Sequence, residues 1–244
     1  MDNSLRLDRF VSESLQITRK ESKALLSRGK ITVNDVIEKN GSRHVAAADI
    51  IQADGIILSR SEHVYLMLNK PAGIVSASRA SDSAAAAGYA ETTVTDLVRE
   101  AFPRRELFPA GRLDKTSTGF ILLTDDGVLA HALLAPGRHV PKTYEVVIDT
   151  PLTEAMITGF AAGPVLADGT RLDGAEVRAL SADGLTVEVI LHQGVYHQIK
   201  RMFGLFDAGV NALHRTAIGP VRLDPSLKPG DWRPLTGEEL ASLR

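Results

Sequence analysis

The chain has 244 residues, 44% of them hydrophobic and 24% charged, with a formal net charge of -2. That is enough apolar material for one large core or two smaller ones, and too little positive charge for a protein that coats nucleic acid by bulk electrostatics. Cysteine is absent, which excludes disulfides and thiolate metal sites, and no apolar run approaches the roughly 18 residues that span a bilayer.

The charge is uneven. Residues 1–60 hold ten Lys/Arg against eight Asp/Glu, and the remainder eighteen against twenty-two. A net positive first part and a net negative second part suggest two modules with different roles. In the first, Leu7, Phe10, Val11 and Leu15 share one helical face. Thr18 followed by Glu21 is a capping-box pattern that starts a second helix, with Ala24 and Leu25 on its core side and Gly29 as its stop. Arg19, Lys20 and Lys23 cluster on the open side of that helix, with Arg28 and Lys30 at its exit. A strand Ile31-Thr32-Val33 leads into an Asn34-Asp35 turn, and short strands are expected around Ile50-Ile51 and Ile56-Ile57-Leu58.

Residues 60–63 read as a polar linker. Val64-Tyr65-Leu66-Met67-Leu68 then reads as a buried strand, and the Ala- and Ser-rich stretch 78–93 as a surface loop. Thr95 is expected to cap a helix through Ala101. A strand at 120–124 meets an Asp125-Asp126-Gly127 turn and a helix to about Leu134. Tyr144–Ile148 alternates as a strand, and Thr153 caps a helix whose apolar side is Met156, Ile157 and Phe160. Residues 185–191 alternate as another strand, and Val195, Ile199, Met202, Phe203 and Phe206 fit the buried stripe of a helix. There is no internal repeat and no regular βαβ rhythm, so an α+β fold with a mixed sheet is expected, in two domains, 1–60 and 61–244.

Several chemistries fail on the sequence. There is no P-loop, no strand-linked Gly-x-Gly-x-x-Gly and no Gly-x-Ser-x-Gly elbow. The seven histidines include no His-x3-His pair, so no metal site is expected. What remains is the run from Ala110 to Gly119, where the carboxylate of Asp114 stands beside Arg112 on a Gly-bounded loop. The apolar strand Phe120-Ile121-Leu122-Leu123 follows at once, which fixes that single acid at the rim of a sheet. Three further segments stand out: Asn69-Lys70-Pro71-Ala72-Gly73, Lys142-Thr143-Tyr144, and Gly194 through Phe203. Taken singly each has a bland reading: a turn, a core tyrosine, a solvated Lys-Arg face.

In order, Gly111-Arg112-Leu113-Asp114, Lys142-Thr143-Tyr144 and His197-Gln198-Ile199-Lys200-Arg201-Met202 resemble the motifs of pseudouridine synthases of the RsuA/RluB/E/F branch. The ending Lys200-Arg201-Met202-Phe203 resembles that branch rather than the RluA branch. Arg6-Leu7-Asp8-Arg9-Phe10 through Gly29-Lys30-Ile31-Thr32-Val33-Asn34 resembles an S4 RNA-binding domain. Leu213–Gly219 and Pro229–Thr236 also fit, so the resemblance covers nearly the whole chain outside 78–93.

The resemblance implies a small S4-like RNA-binding domain followed by a mixed, mainly antiparallel sheet domain with flanking helices. It implies conversion of uridine to pseudouridine in ribosomal RNA, in which the N1–C1′ bond is replaced by a C5–C1′ bond. Nothing is lost and no redox change occurs, so no cofactor is demanded. Asp114 would be the reacting carboxylate, as nucleophile or as base. Lys200 would be its counter-cation, with Arg201 as the competing cation and RNA contact. Tyr144 would stack on the target base after it leaves its own stack. Arg112 would fill the vacated space or hold a phosphate, and Lys70 would make a structural or phosphate contact. Arg19, Lys20, Lys23 and Lys30 would track phosphates, which positions RNA without reading its sequence.

Thr124–Gly127, Val195–Gln198 and the tail from Pro229 look most like the small-subunit (16S) enzymes of the branch. The rivals are a 23S target, a non-catalytic rRNA-binding assembly factor, and a hydrolase using Asp114 alone; glycoside hydrolysis needs a second carboxylate of comparable standing. The expected partner is therefore 16S rRNA in a small-subunit assembly intermediate. The N-terminal residues show no apolar signal core, and a cytoplasmic monomer without membrane association is expected.

Overall fold

The computed structural model describes residues 5–15, 17–46, 48–58, 63–78, 91–103, 105–138, 140–166 and 168–244. Residues 60–62 of the linker expected at 60–63 and residues 79–90 of the Ala-rich stretch lie outside them. The chain divides into two compact units, Met1–His63 with Pro103–Arg105, and Val64–Phe102 with Glu106–Arg244.

In the first unit β1 (Leu5–Arg6) leads directly into α1 (Leu7–Leu15), followed by α2 (Arg19–Ser27). The capping box before α2 is complete: Thr18 Oγ1 accepts from the Glu21 N–H at 3.2 Å, and Glu21 accepts from the Thr18 N–H at 2.7 Å. Gly29, at φ +69°, takes the left-handed conformation that ends the helix. The fully buried stripe of α2 is Ser22 and Leu26, while Leu25 packs half-buried on the same core, as expected, and Ala24 is also half-buried. The stripe is offset because the Ser22 hydroxyl donates to the Asp8 carbonyl at 2.7 Å, so a polar side chain is satisfied in the interior.

A four-stranded sheet follows, with β2 (Ile31–Val33) and β5 (Ile51–Ala53) at its centre and β3 (Val36–Ile37) and β6 (Ile56–Ile57) at its edges. Asn34 and Asp35 both have positive φ, as the two-residue turn of a tight hairpin requires. β4 (His44–Val45) pairs with β1. Leu7, Val11, Leu26, Ile31, Val33, Val45, Ile51 and Leu58 make the core.

The second unit is built on a nine-stranded sheet. Its strands are β7 (Tyr65–Lys70), β8 (Phe108–Pro109), β9 (Thr118–Thr124), β10 (Lys142–Ile148), β11 (Glu176–Ala179), β12 (Thr186–Leu191), β13 (Val210–Ile218), β14 (Val221–Arg222) and β15 (Trp232–Pro234). The main order is β11-β12-β10-β13-β9-β7-β15, with β14 on β13 and β8 on β9. Every pairing is antiparallel except β13 with β9. The fold is thus a mixed α/β one on a mainly antiparallel sheet.

The helices are α3 (Gly127–Leu134), α4 (Glu154–Ala161), α5 (Gln198–Gly204) and α6 (Gly237–Leu243). α4 and α5 cover β10, β11 and β12 with Met156, Phe160, Ile199, Met202 and Phe203. α3 and α6 cover β7 and β9 through Leu129, Leu133 and Leu243. Leu66, Leu68, Ile121 and Leu123 point the other way, onto Val94, Val98 and Leu107, so β7 and β9 are buried on both faces and read as continuous apolar runs.

Two expected helices differ. The one capped by Thr95 is a three-residue 3-10 turn, Asp96–Val98. Thr95 donates instead to the Ser78 carbonyl at 2.7 Å, and the Asp96 carboxylate accepts from the Thr93 N–H. The helix around Met202 is shorter than its apolar stripe. Val195 and Phe206 pack on the same core from outside it: Val195 precedes the helix because His197 is left-handed at φ 51° and ψ 31°, and Phe206 follows its end at Gly204.

Candidate active site

The loop carrying Asp114 runs into β9, and β9 enters the sheet between β7 and β13. Lys70 is opposite Gly119 on one side, and Arg215 on the other. Gly119 has φ +99°, and a Cβ there would collide with the Arg215 backbone, so this crossing requires glycine. The loop is pinned from below. Lys70 is fully buried, and its Nζ donates to the carbonyls of Ser117 at 2.7 Å, Pro71 at 3.1 Å and Lys115 at 3.2 Å. An ammonium has three N–H donors, and all three are used. Ser76 Oγ donates to the Leu113 carbonyl and accepts from the Leu113 N–H, and the Ser117 N–H donates to the Asp114 carbonyl at 3.1 Å. The backbone on both sides of Asp114 is thereby fixed.

Of the structural and phosphate roles expected for Lys70, burial removes the second, since no face of the ammonium meets solvent. Burial and the nearby Arg215 lower its pKa to about 8, with Asp114 acting in the opposite sense.

The Asp114 side chain is 27% exposed and turns outward. His197 Nε2 lies 3.4 Å from Oδ1, and Lys200 Nζ lies 3.6 Å from Oδ2. Each carboxylate oxygen thus faces a different group on the α5 segment. Lys200 also donates to Thr116 Oγ1 at 3.3 Å, which ties it to the same loop. Arg201 is turned away by the helical rotation of about 100° per residue and pairs with Asp168 at 2.6 Å. Between the two cations, Lys200 faces the acid. Thr170 and Arg201 together hold the Asp168 carboxyl at about 2.

Tyr144 stands on β10 opposite Arg215 on β13, and the Arg215 guanidinium lies 6.0 Å from its ring centroid. Arg215 is 3% exposed, and its Nε donates to the Phe120 carbonyl at 2.7 Å. Lys70 feels the charges of both Asp114 and Arg215, so one electrostatic cluster joins the acid to the residue beneath the tyrosine. Arg112 is exposed on the loop. In the first unit Arg19, Lys20 and Lys23 are exposed on α2, and none has a carboxylate within ion-pair distance among the described residues. Lys30 differs: its Nζ is 2.9 Å from Asp54 Oδ1, both largely in solvent, so its charge is already matched. Among the described residues no cluster of His, Asp or Glu side chains can hold a metal ion.

Two residues at the site have no role assigned from sequence. His197 sits inside the His197–Met202 run and Arg215 inside Leu213–Gly219, so the signal is present. Their partners are not legible, because each lies some 80 to 95 positions away in the chain.

Residues 64–204 match the family described as RNA pseudouridylate synthase. Along nearly its full length the chain is 37% identical to an uncharacterized RNA pseudouridine synthase, YtzG, of Bacillus subtilis, covering 97% of each. It is 35% identical to proteins named ribosomal small subunit pseudouridine synthase A in Vibrio vulnificus, over 98% of this chain and 99% of the relative, and in Pseudomonas aeruginosa, over 98% and 100%. A solved structure described as a pseudouridylate synthase superposes with a TM-score of 0.68 at 34% identity, covering 99% of this chain and 100% of that one. The family match over 64–204 and relatives 35–37% identical along nearly the whole chain show that the chain belongs to the RNA pseudouridylate synthase family and is an isomerase of that kind.

Proposed function

We propose that the protein isomerises one uridine of 16S ribosomal RNA to pseudouridine, with Asp114 as the reacting carboxylate. The observation that carries this is the placement of Asp114: backbone locked by Lys70 and Ser76, side chain open to solvent, one oxygen toward Lys200 and the other toward His197. A carboxylate beside a cation and held in one pose serves as nucleophile or base without a cofactor. The reaction balances within the nucleotide: the N1–C1′ bond is exchanged for C5–C1′, C5 gives up its proton, and N1 ends with one. Tyr144, backed by Arg215, offers the ring on which the flipped base stacks, and exposed Arg112 faces the RNA.

The choice of 16S rRNA rests on the small-subunit names of several relatives. The first unit is assigned as an S4-like RNA-docking module on the exposed cations Arg19, Lys20 and Lys23, which have no ion-pair partner among the described residues. Deleting the gene and mapping pseudouridines in both ribosomal RNAs tests the whole assignment. One 16S site is expected to vanish, and to return with wild type but not with Asp114→Asn. Loss of a 23S site instead relocates the same chemistry, and no loss in either RNA favours an assembly factor that does not use its site.

A further inference from the structure

Beside Asp114 stands an aromatic pair that the chemistry above leaves without a task. Tyr196 is 74% exposed. A lone exposed apolar residue is ordinary, but this one is arranged. Its ring stacks on the His197 imidazole at 3.8 Å between centroids and 19° between planes, and His197 Nε2 in turn touches Asp114 Oδ1 at 3.4 Å. The stack exists because His197 adopts the left-handed conformation at φ 51°, an uncommon state for a residue other than glycine and one that concentrates at functional sites. That kink directs two consecutive side chains to the same side. The result is a flat ring, one face on the imidazole and the other in water, with Lys200 close by on the same segment and Arg112 exposed on the loop of Asp114.

We propose that the outer face of Tyr196 is a stacking platform for the nucleobase adjacent to the reacting uridine in the RNA strand. A flipped uridine leaves its neighbour without a stacking partner on one side, and an aromatic ring next to the acid replaces that partner in a way that tolerates any base. Arg112, exposed on the Asp114 loop, is the cation left to meet a phosphate of that strand. The base on Tyr196 also clamps the imidazole beneath it, so RNA binding and the pose of Asp114 are linked through one stack. The role is distinct from that of Tyr144, and it rests on the assignment of the protein as an rRNA modifier.

The test uses the full chain and the shortest rRNA transcript that wild type modifies. Tyr196→Ala is expected to weaken binding by about 5- to 150-fold, the range for removing a base–aromatic stack, with the slope of log affinity against log salt unchanged because every phosphate partner is kept. Tyr196→Phe keeps the ring and is expected to recover most of that affinity. In steady state the Ala variant suffers through KM more than through kcat. An abasic site at one neighbour of the modified uridine is expected to cost wild type a similar factor, and to cost Tyr196→Ala nothing further. Unchanged binding in Tyr196→Ala overturns the platform, as does a full multiplication of the two defects, or a Phe variant as weak as the Ala variant. The binding measurement does not depend on turnover: if wild type modifies no rRNA transcript, the rRNA-modification assignment fails, and Tyr196→Ala read on the transcript that wild type binds most tightly still decides the platform.

Discussion

The two units of this chain use positive charge in opposite ways. Around Asp114 four cations have partners, with Arg112 the exposed exception: Lys200 faces the acid, Arg201 takes Asp168, Arg215 caps the Phe120 carbonyl, and Lys70 commits its three N–H groups to backbone carbonyls. Along α2 of the first unit Arg19, Lys20 and Lys23 stand in solvent without an ion-pair partner among the described residues. A cation with a partner fixes geometry, since its removal leaves a specific group unmatched. A cation without one remains free to exchange counterions for a phosphate. On the proposed reading, one region is organised for chemistry at a point and the other for adhesion along an RNA backbone.

The contrast breaks first at the acid. Asp114→Asn keeps shape and removes charge, and is expected to lower turnover by roughly a thousandfold or more, read by pseudouridine mapping on a variant whose thermal unfolding matches wild type. Lys200→Met follows, with a loss on the order of 100-fold in turnover. An equal loss in Arg201→Met would reverse the assignment of the two cations.

Reversing charge at Arg19 and Lys23 together probes the other region. Affinity for the rRNA is expected to fall, and the magnitude of the salt slope to drop by about 0.7 to 0.9 for each phosphate no longer neutralised, while turnover at saturating RNA stays with the second unit. An unchanged slope would remove the first unit from the RNA interface. Lys30→Glu is expected to change the slope less, because Asp54 already neutralises Lys30.

Lys70 sharpens the comparison through pH. Its folded pKa of about 8 lies below the ordinary lysine value of 10.5, so between those limits the unfolded chain holds the proton more tightly than the native one. Stability from this group therefore rises with pH from about 8 to about 10.5 and is least favourable below 8. Urea unfolding of wild type relative to Lys70→Met across that window is expected to show a difference that grows with pH; a flat difference would mean the ammonium is not desolvated. The smallest effect is local: Thr18→Ala removes half of the capping box and is expected to cost about 1 kcal/mol, without altering turnover at saturating RNA.

The sequence by itself determined what depends on neighbours in the chain. The capping box of α2, the Asn34-Asp35 turn, the apolar run of β9 and the order of the motifs around Asp114, Tyr144 and Lys200 are short-range patterns, because helix caps, turns and alternation are set within a few residues. Tertiary structure decided the rest. Ser22 is interior because its hydroxyl donates a hydrogen bond to the Asp8 backbone carbonyl, and Thr95 caps no helix because its hydroxyl donates to the Ser78 carbonyl. Lys70 is a buried clamp only because β7 and β9 lie side by side and bring the 115–117 carbonyls over its ammonium. Which of Lys200 and Arg201 meets Asp114, and that His197 meets it too, follows from how α5 docks on a loop more than 80 residues earlier in the chain. Charge and motif are written locally; partnership is a distance across the fold, and only the packed sheet sets it.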